Sequence, residues 1–133
     1  MKKPIVATGK RKTSIARARV KEGKGIVRIN KINLNVVEPE LARLKIQEPL
    51  VLASDFAGKL DIKVNVKGGG WMSQAEAARN AIAKAIVEFT KSKELKKKYL
   101  DYDRHLLVAD TRRTEPHKPC RSAARRQKQT SKR

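Results

Sequence analysis

Gly68-Gly69-Gly70 follows an alternating apolar segment and precedes a helix-like run, an arrangement that suits an anion. Glycine lets backbone N–H groups approach oxygens closely, and a helix N-terminus attracts negative charge. The next residues, Trp71, Met72, Ser73 and Gln74, supply neither the Lys-Ser/Thr of a nucleotide loop nor a spaced acid for a ribose. A tight structural turn and a contact with an RNA backbone remain as readings of the triplet, and the two are compatible. A second cluster, Gly9-Lys10-Arg11-Lys12-Thr13-Ser14, gathers cations and hydroxyls that suit phosphate oxygens, against the plainer reading of a solvated basic loop. The third is the end of the chain. Arg112, Arg113, Lys118, Arg121, Arg125, Arg126, Lys128, Lys132 and Arg133 face a single carboxylate, Glu115. Such a segment repels itself and is expected to stay extended until a polyanion neutralises it. Fully extended, it reaches roughly 75 Å.

Charge over the whole chain favours nucleic acid for all three. Lys and Arg number 33 against 13 Asp and Glu, a formal net charge of +20 in 133 residues. Such a field concentrates phosphates. Aromatic residues make up only 4%, which argues against a platform that stacks single-stranded bases and for recognition of the backbone. Nothing assembles into a catalytic set: His105 and His117 lie in or beside the basic end, no paired carboxylates stand out, and Cys120 has arginines nearby but no evident base. The single cysteine allows no internal disulfide, and His105, His117 and Cys120 fall short of a four-ligand zinc set. No apolar run approaches a membrane span or a signal-peptide core. The expectation is a cytoplasmic, non-enzymatic protein with no cofactor, no small-molecule substrate and no membrane partner.

The elements that must position these residues are legible in part. Thr13 to Lys21 alternates, with Ser14, Ala16, Ala18 and Val20 on one side and Thr13, Ile15, Arg17, Arg19 and Lys21 on the other, which predicts a strand with a charged face. Glu22-Gly23-Lys24-Gly25 reads as a turn and Ile26 to Asn30 as the return strand of a hairpin. Proline and acids at Glu38-Pro39-Glu40 start a helix, and Pro49 predicts two short pieces, Leu41 to Ile46 and Pro49 to Ala53, joined by a kink. Leu60, Ile62, Val64 and Val66 give the cleanest strand pattern. Ser73 and Glu76 have capping-box spacing, and Ala75, Ala78, Ile82, Ala85, Ile86 and Phe89 recur at helical intervals. The alanines let this helix lie close against a sheet, with Leu60 to Val66 as the expected partner. Lys91 to Lys98 continues as a basic helical stretch, and His105 to Ala109 reads as a last short strand. One compact domain over 1–110 and a basic tail over 111–133 follow.

Four motifs in order then resemble a known family: Gly9 to Ala18, Gly68-Gly69-Gly70 with Gln74 and Ala75 to Arg79, Asp110-Thr111-Arg112-Arg113-Thr114-Glu115, and the final Ser131-Lys132-Arg133. Over essentially the whole chain they resemble small ribosomal subunit protein nine, with the Thr-Arg-Arg-Thr-Glu-Pro run similar to its archaeal and eukaryotic branch. The resemblance implies an α/β (α+β) fold, a four-stranded sheet packed by helices on one side with a left-handed βαβ crossover, like the second domain of small-subunit protein five. It implies a structural constituent of the small-subunit head, bound to 3′-domain ribosomal RNA through Lys10, Arg11, Lys12, Arg17, Arg19, the glycine triplet and the tail from Arg112 to Lys128. Ser131, Lys132 and Arg133 are implied to touch the anticodon stem-loop of peptidyl-site transfer RNA. Neighbouring head proteins are implied partners. Two departures stand out: Pro119-Cys120-Arg121 where relatives often carry glycine, and Lys132 where the branch usually has tyrosine. Two other readings make different predictions. A charge-only architectural protein binds duplex DNA equally well, and an enzyme built on the glycine loop binds ATP saturably.

Overall fold

The computed structural model describes residues 3–128 together with Thr130 and Ser131. Strand β1 (Ile5–Arg11) turns at Lys12 and Thr13 into β2 (Ser14–Glu22), with Arg11 opposite Ser14 and Ile5 opposite Val20. Strands β3 (Val27–Ile29) and β4 (Ile32–Asn33) form a second hairpin. Its turn residues Asn30 and Lys31 both have positive φ, as a two-residue turn matched to strand twist requires. Helices α1 (Glu40–Leu52) and α2 (Ser54–Ala57) lead into β5 (Leu60–Lys67), followed by α3 (Trp71–Thr90) and α4 (Lys93–Tyr102). The sheet order is β1-β2-β5-β3-β4, with β3 and β5 parallel and the other pairs antiparallel. The sheet has five strands where four were expected; the short β4 on its edge makes the difference.

The expected hairpin between the second strand and Ile26–Asn30 does not form, because β5 inserts between them. Both flanking strands need an apolar, strongly alternating neighbour, and Leu60–Lys67 offers the best one to both. The loop that spans the start of β5 is tied down by Asp61, whose Oδ1 accepts the Lys24 and Ile26 amides at 2.8 and 3.2 Å. On the other side Asn30 extends the β3–β5 ladder with its side chain, accepting from the Val66 amide at 2.8 Å and donating to the Val66 carbonyl at 3.3 Å.

Alternation puts Ala7, Gly9, Ser14, Ala16, Ala18, Val20, Ile62, Val64 and Val66 on one buried face. Helix α3 crosses that face, and its buried Ala77, Ala78, Ala81 and Ala85 meet a floor of Ala7, Ala16 and Ala18. It lies mainly on β1 and β2, with β5, the expected partner, contributing less. Small side chains on both sides bring the helix axis close to the sheet. Gly9 marks the closest approach: a β-carbon there would overlap the Ala77 carbonyl and the Ala81 amide nitrogen. Helix α1 packs on α3, its Ala42 and Ile46 covering the Ile29–Val66 end of the sheet.

Three further expectations are corrected. Pro49 lies in the last turn of a continuous α1 and does not split it. The one ladder bond it removes falls near the helix end, and its own carbonyl is held at 2.7 Å by the hydroxyl of fully buried Tyr99, which ties α4 to α1. Burial, with no charge to compensate, pushes the Tyr99 phenol well above its usual range. The Ser73–Glu76 capping box is not used: Gly70 is the N-cap of α3, Ser73 lies inside the helix, and Glu76 pairs with Arg11. His105–Ala109 is no strand. Asp103 accepts the His105 amide at 2.8 Å and starts a 3-10 turn over Arg104–Leu106, which buries Leu106.

Candidate nucleic-acid interface

The other face of the sheet carries no helix, and alternation sets cations there among exposed Val6, Thr8, Ile15 and Asn65. Lys10 of β1, Arg17, Arg19 and Lys21 of β2, Lys63 and Lys67 of β5, and Arg28 of β3 are all exposed there. The strand registers set these residues in rows. Arg19 stands opposite Lys63, and Lys63 stands beside Arg28, so three cations occupy paired positions on three adjacent strands. At the strand spacing this row covers ~10 Å. Like charges directly opposite one another are destabilising, so the row is poised for an external anion. Arg17 stands opposite Thr8 on one side and Asn65 on the other. The one carboxylate that alternation places on this face is Asp61. The Lys24 and Ile26 amides, ahead of Lys21 at 3.9 Å, hold it below the usual carboxylate range.

Lys10, Arg17 and Arg19 thus share one surface, while the rest of the first basic cluster divides. Lys12 is exposed in the β1–β2 turn. Arg11 faces the helical layer: its Nε pairs with Glu76 at 2.7 Å, its Nη2 lies 3.7 Å from Asp110, and its Nη1 donates to the Arg112 carbonyl at 3.0 Å. Arg11 therefore has three internal partners that hold the tail root, and its side chain is only 14% exposed. Ser14 is likewise internal, its hydroxyl donating to the Gly68 carbonyl at 2.7 Å.

The glycine triplet is a tight turn. Gly68 and Gly69 take φ of 81° and 68°, and a β-carbon at either would overlap the Thr13 carbonyl or the Ser14 hydroxyl. The Gly68 carbonyl also accepts from Gln74 at 3.1 Å. The turn packs the β1–β2 loop, with exposed Lys12, beside the N-terminus of α3.

Lys21, Arg28, Lys63 and Lys67 were missing from the sequence-based set. The signal for Lys63 and Lys67 was present, because alternation in Leu60–Lys67 puts them opposite the core; adjacency to Arg19 was not.

The root of the tail is fixed from the core outward. Arg79, only 6% exposed, bridges Glu48 of α1 and Asp103 at the end of α4. Asn80 donates to the His105 and Leu106 carbonyls at 3.0 and 3.1 Å. The chain then reaches Asp110, which accepts from the Arg112 guanidinium and amide at 2.7 to 3.1 Å. The guanidinium first, then the amide, keeps the Asp110 carboxyl far below its usual range. At Asp103 burial opposes ionisation, but the His105 amide and Arg79 outweigh it and the net shift is also downward. Depressed folded-state values stabilise above the unfolded pKa of about 3.9 and lose that effect as pH falls through the folded value. Exchange protection of the Arg112 amide should therefore be flat from pH 5 to 8 after correction for intrinsic rates. A midpoint near neutrality would contradict this account.

Beyond Leu106 the described residues form no helix or strand. The tail is not straight: Glu115 draws in both Lys118, at 3.5 Å, and Arg125, at 2.7 Å, and Arg126 donates to Ser122 at 2.7 Å. Arg112, Arg113, Arg121 and Lys128 are exposed. Lys132 and Arg133 lie outside the described residues. Among those described, no three His, Cys, Asp or Glu side chains converge as metal ligands, and no helix is long and apolar enough to cross a membrane.

Comparison with known proteins points the same way. Residues 9–133 match the model of the family described as ribosomal protein S9/S16. Small ribosomal subunit protein uS9 of Methanococcus vannielii is 53% identical over 95% of this chain and 97% of its own length. The protein of that name from Methanococcus maripaludis strain C7 is 52% identical over the same shares. With an open cationic sheet face, a basic tail and a match of this extent, the chain belongs to the ribosomal protein S9/S16 family and is a structural, non-enzymatic component of the cytoplasmic ribosome.

Proposed function

We propose that this chain acts in the head of the small ribosomal subunit as a clamp on 3′-domain ribosomal RNA, with its tail extending to peptidyl-site transfer RNA. The observation that carries the reading is the Arg19–Lys63–Arg28 row, where repulsion within the sheet is relieved by phosphate. Lys10, Lys12, Arg17, Lys21 and Lys67 extend the same contact. Residues 1–110 serve as the body, and 111–133 as a tail that takes its final path on RNA. Arg112, Arg113, Lys118, Arg121, Arg125, Arg126 and Lys128 neutralise crowded phosphates, and Ser131, Lys132 and Arg133 hold the anticodon stem-loop backbone without reading sequence. Gly68 and Gly69 contribute by holding Lys12 beside the α3 N-terminus, and Gly70 leaves that terminus open.

Competition at fixed salt tests the clamp: the protein should prefer a folded 3′-domain RNA fragment over duplex DNA, and equal affinity would reduce the reading to charge alone. For the tail, deleting Lys132 and Arg133 should leave subunit assembly unchanged. Release of peptidyl-site transfer RNA should then quicken on the order of threefold, as expected for loss of two exposed ionic contacts. Failure of assembly in that variant would remove the division between body and tail.

A further inference from the structure

We propose that Trp71 stacks on one unpaired base of the RNA held by the sheet face, so that the chain grips a nucleotide as well as phosphates. The inference rests on the clamp reading above. Trp71 is the single tryptophan of the chain and the first residue of α3, and it is 50% exposed. It lines a narrow cleft of ≈ 70 Å³ with Ile29, Ala42, Ile46 and Val66, at the edge of the core. The indole is thus based on packed elements while much of it stays in water. An aromatic ring offers any base a flat apolar partner, and the contact adds affinity without reading sequence. One ring cannot track a strand, which agrees with the low aromatic content of the chain; it takes a single base.

The charge around the ring favours a nucleotide over a protein side chain. Three lysine-bearing segments meet at this end of the sheet. The Lys12–Thr13 turn sits on Gly68 and Gly69, where added β-carbons would overlap the Thr13 carbonyl and the Ser14 hydroxyl. Lys67 ends β5, and Lys31 follows Asn30, whose side chain is bonded to Val66. All three lysines are exposed. Against them stands Glu38, which lines the same cleft; Glu40 and Glu76 are paired with Arg43 and Arg11. The first turn of α3 carries no acid. A nucleotide satisfies both features at once, its phosphates meeting the lysines and its base covering the indole. A basic protein segment is repelled there, and a neutral apolar one leaves the lysines unmatched.

The test uses the full chain and a folded 3′-domain RNA fragment, with Trp71 fluorescence excited where tyrosine does not absorb. Emission should be quenched in step with RNA binding, and ATP alone should give no saturable quenching. Trp71→Leu, which keeps an apolar cover on this corner of the core, should melt within a few degrees of the unaltered protein and bind the RNA on the order of tenfold more weakly. The salt slope should stay the same, because the lost contact is not ionic. Trp71→Phe should recover most of the affinity. RNA binding without quenching, full affinity in the Leu variant, or equal losses in the Leu and Phe variants overturns the proposal and leaves the clamp standing. Saturable quenching by ATP overturns it in favour of a free-nucleotide site. Absence of saturable RNA binding by the unaltered chain removes the clamp and this contact together.

Discussion

Gly9→Ala should destabilise the fold by about 2 to 3 kcal/mol and lower the melting temperature by roughly 10 to 20 °C. The added β-carbon meets the Ala77 carbonyl and the Ala81 amide nitrogen, both backbone atoms of α3, and neither can rotate away as a side-chain tip would. Relief requires α3 to lift from β1. That separates Ala77, Ala78 and Ala81 from Ala7 and Ala16, losing dispersion contacts along the interface. Gly58→Ala is the control, because nothing lies within 4 Å of its β-carbon position; it should melt at or slightly above the temperature of the unaltered protein. If Gly9→Ala melted within a few degrees of that temperature, the close helix–sheet approach described here would be wrong.

Replacing Arg19, Arg28 and Lys63 together by Gln should reduce the salt slope of binding to a folded 3′-domain RNA fragment by about 2 to 3 units. At about 0.1 M salt the affinity should fall on the order of a hundredfold. All three side chains are exposed on the face opposite the helices, so thermal stability should hold or improve slightly as repulsion within the row is removed. Salt-dependent binding isotherms decide the matter. An unchanged slope would place the RNA elsewhere on the molecule, whereas a lost fold would show that the row had a structural task.

The two variants also show where sequence reading succeeds. Leu60–Lys67 and the helix through Ala75–Phe89 were legible because each has an unbroken period, 2 in one and near 3.6 in the other, with one face buried along its length. Ile5–Arg11 was not recognised as a strand: its inward positions are Ala7 and Gly9, too small to register as an apolar alternation, and smallness is what the close helix demands. Strand neighbours are a non-local choice, so the insertion of β5 between the second and third strands had no local mark. Pro49 and Glu76 misled for a related reason, since partners distant in sequence, Tyr99 and Arg11, changed what each could do. At the candidate interface, Arg17 and Arg19 followed from the alternation of one strand, and Lys10 from the basic cluster at its entry. The row that Arg19 joins needed the register, and the internal partners of Arg11, Glu76 and Asp110, are distant from it in sequence.

Anchoring of the tail root by Arg11, Glu76 and Asp110 has a kinetic corollary. A basic strand that sets out from a fixed point on the body has its search confined to a small volume once that body has landed. Later phosphate captures become intramolecular, at effective concentrations that reach the millimolar range for a short tether. Landing and threading thereby become sequential, and individually feeble ionic contacts accumulate into a long residence time.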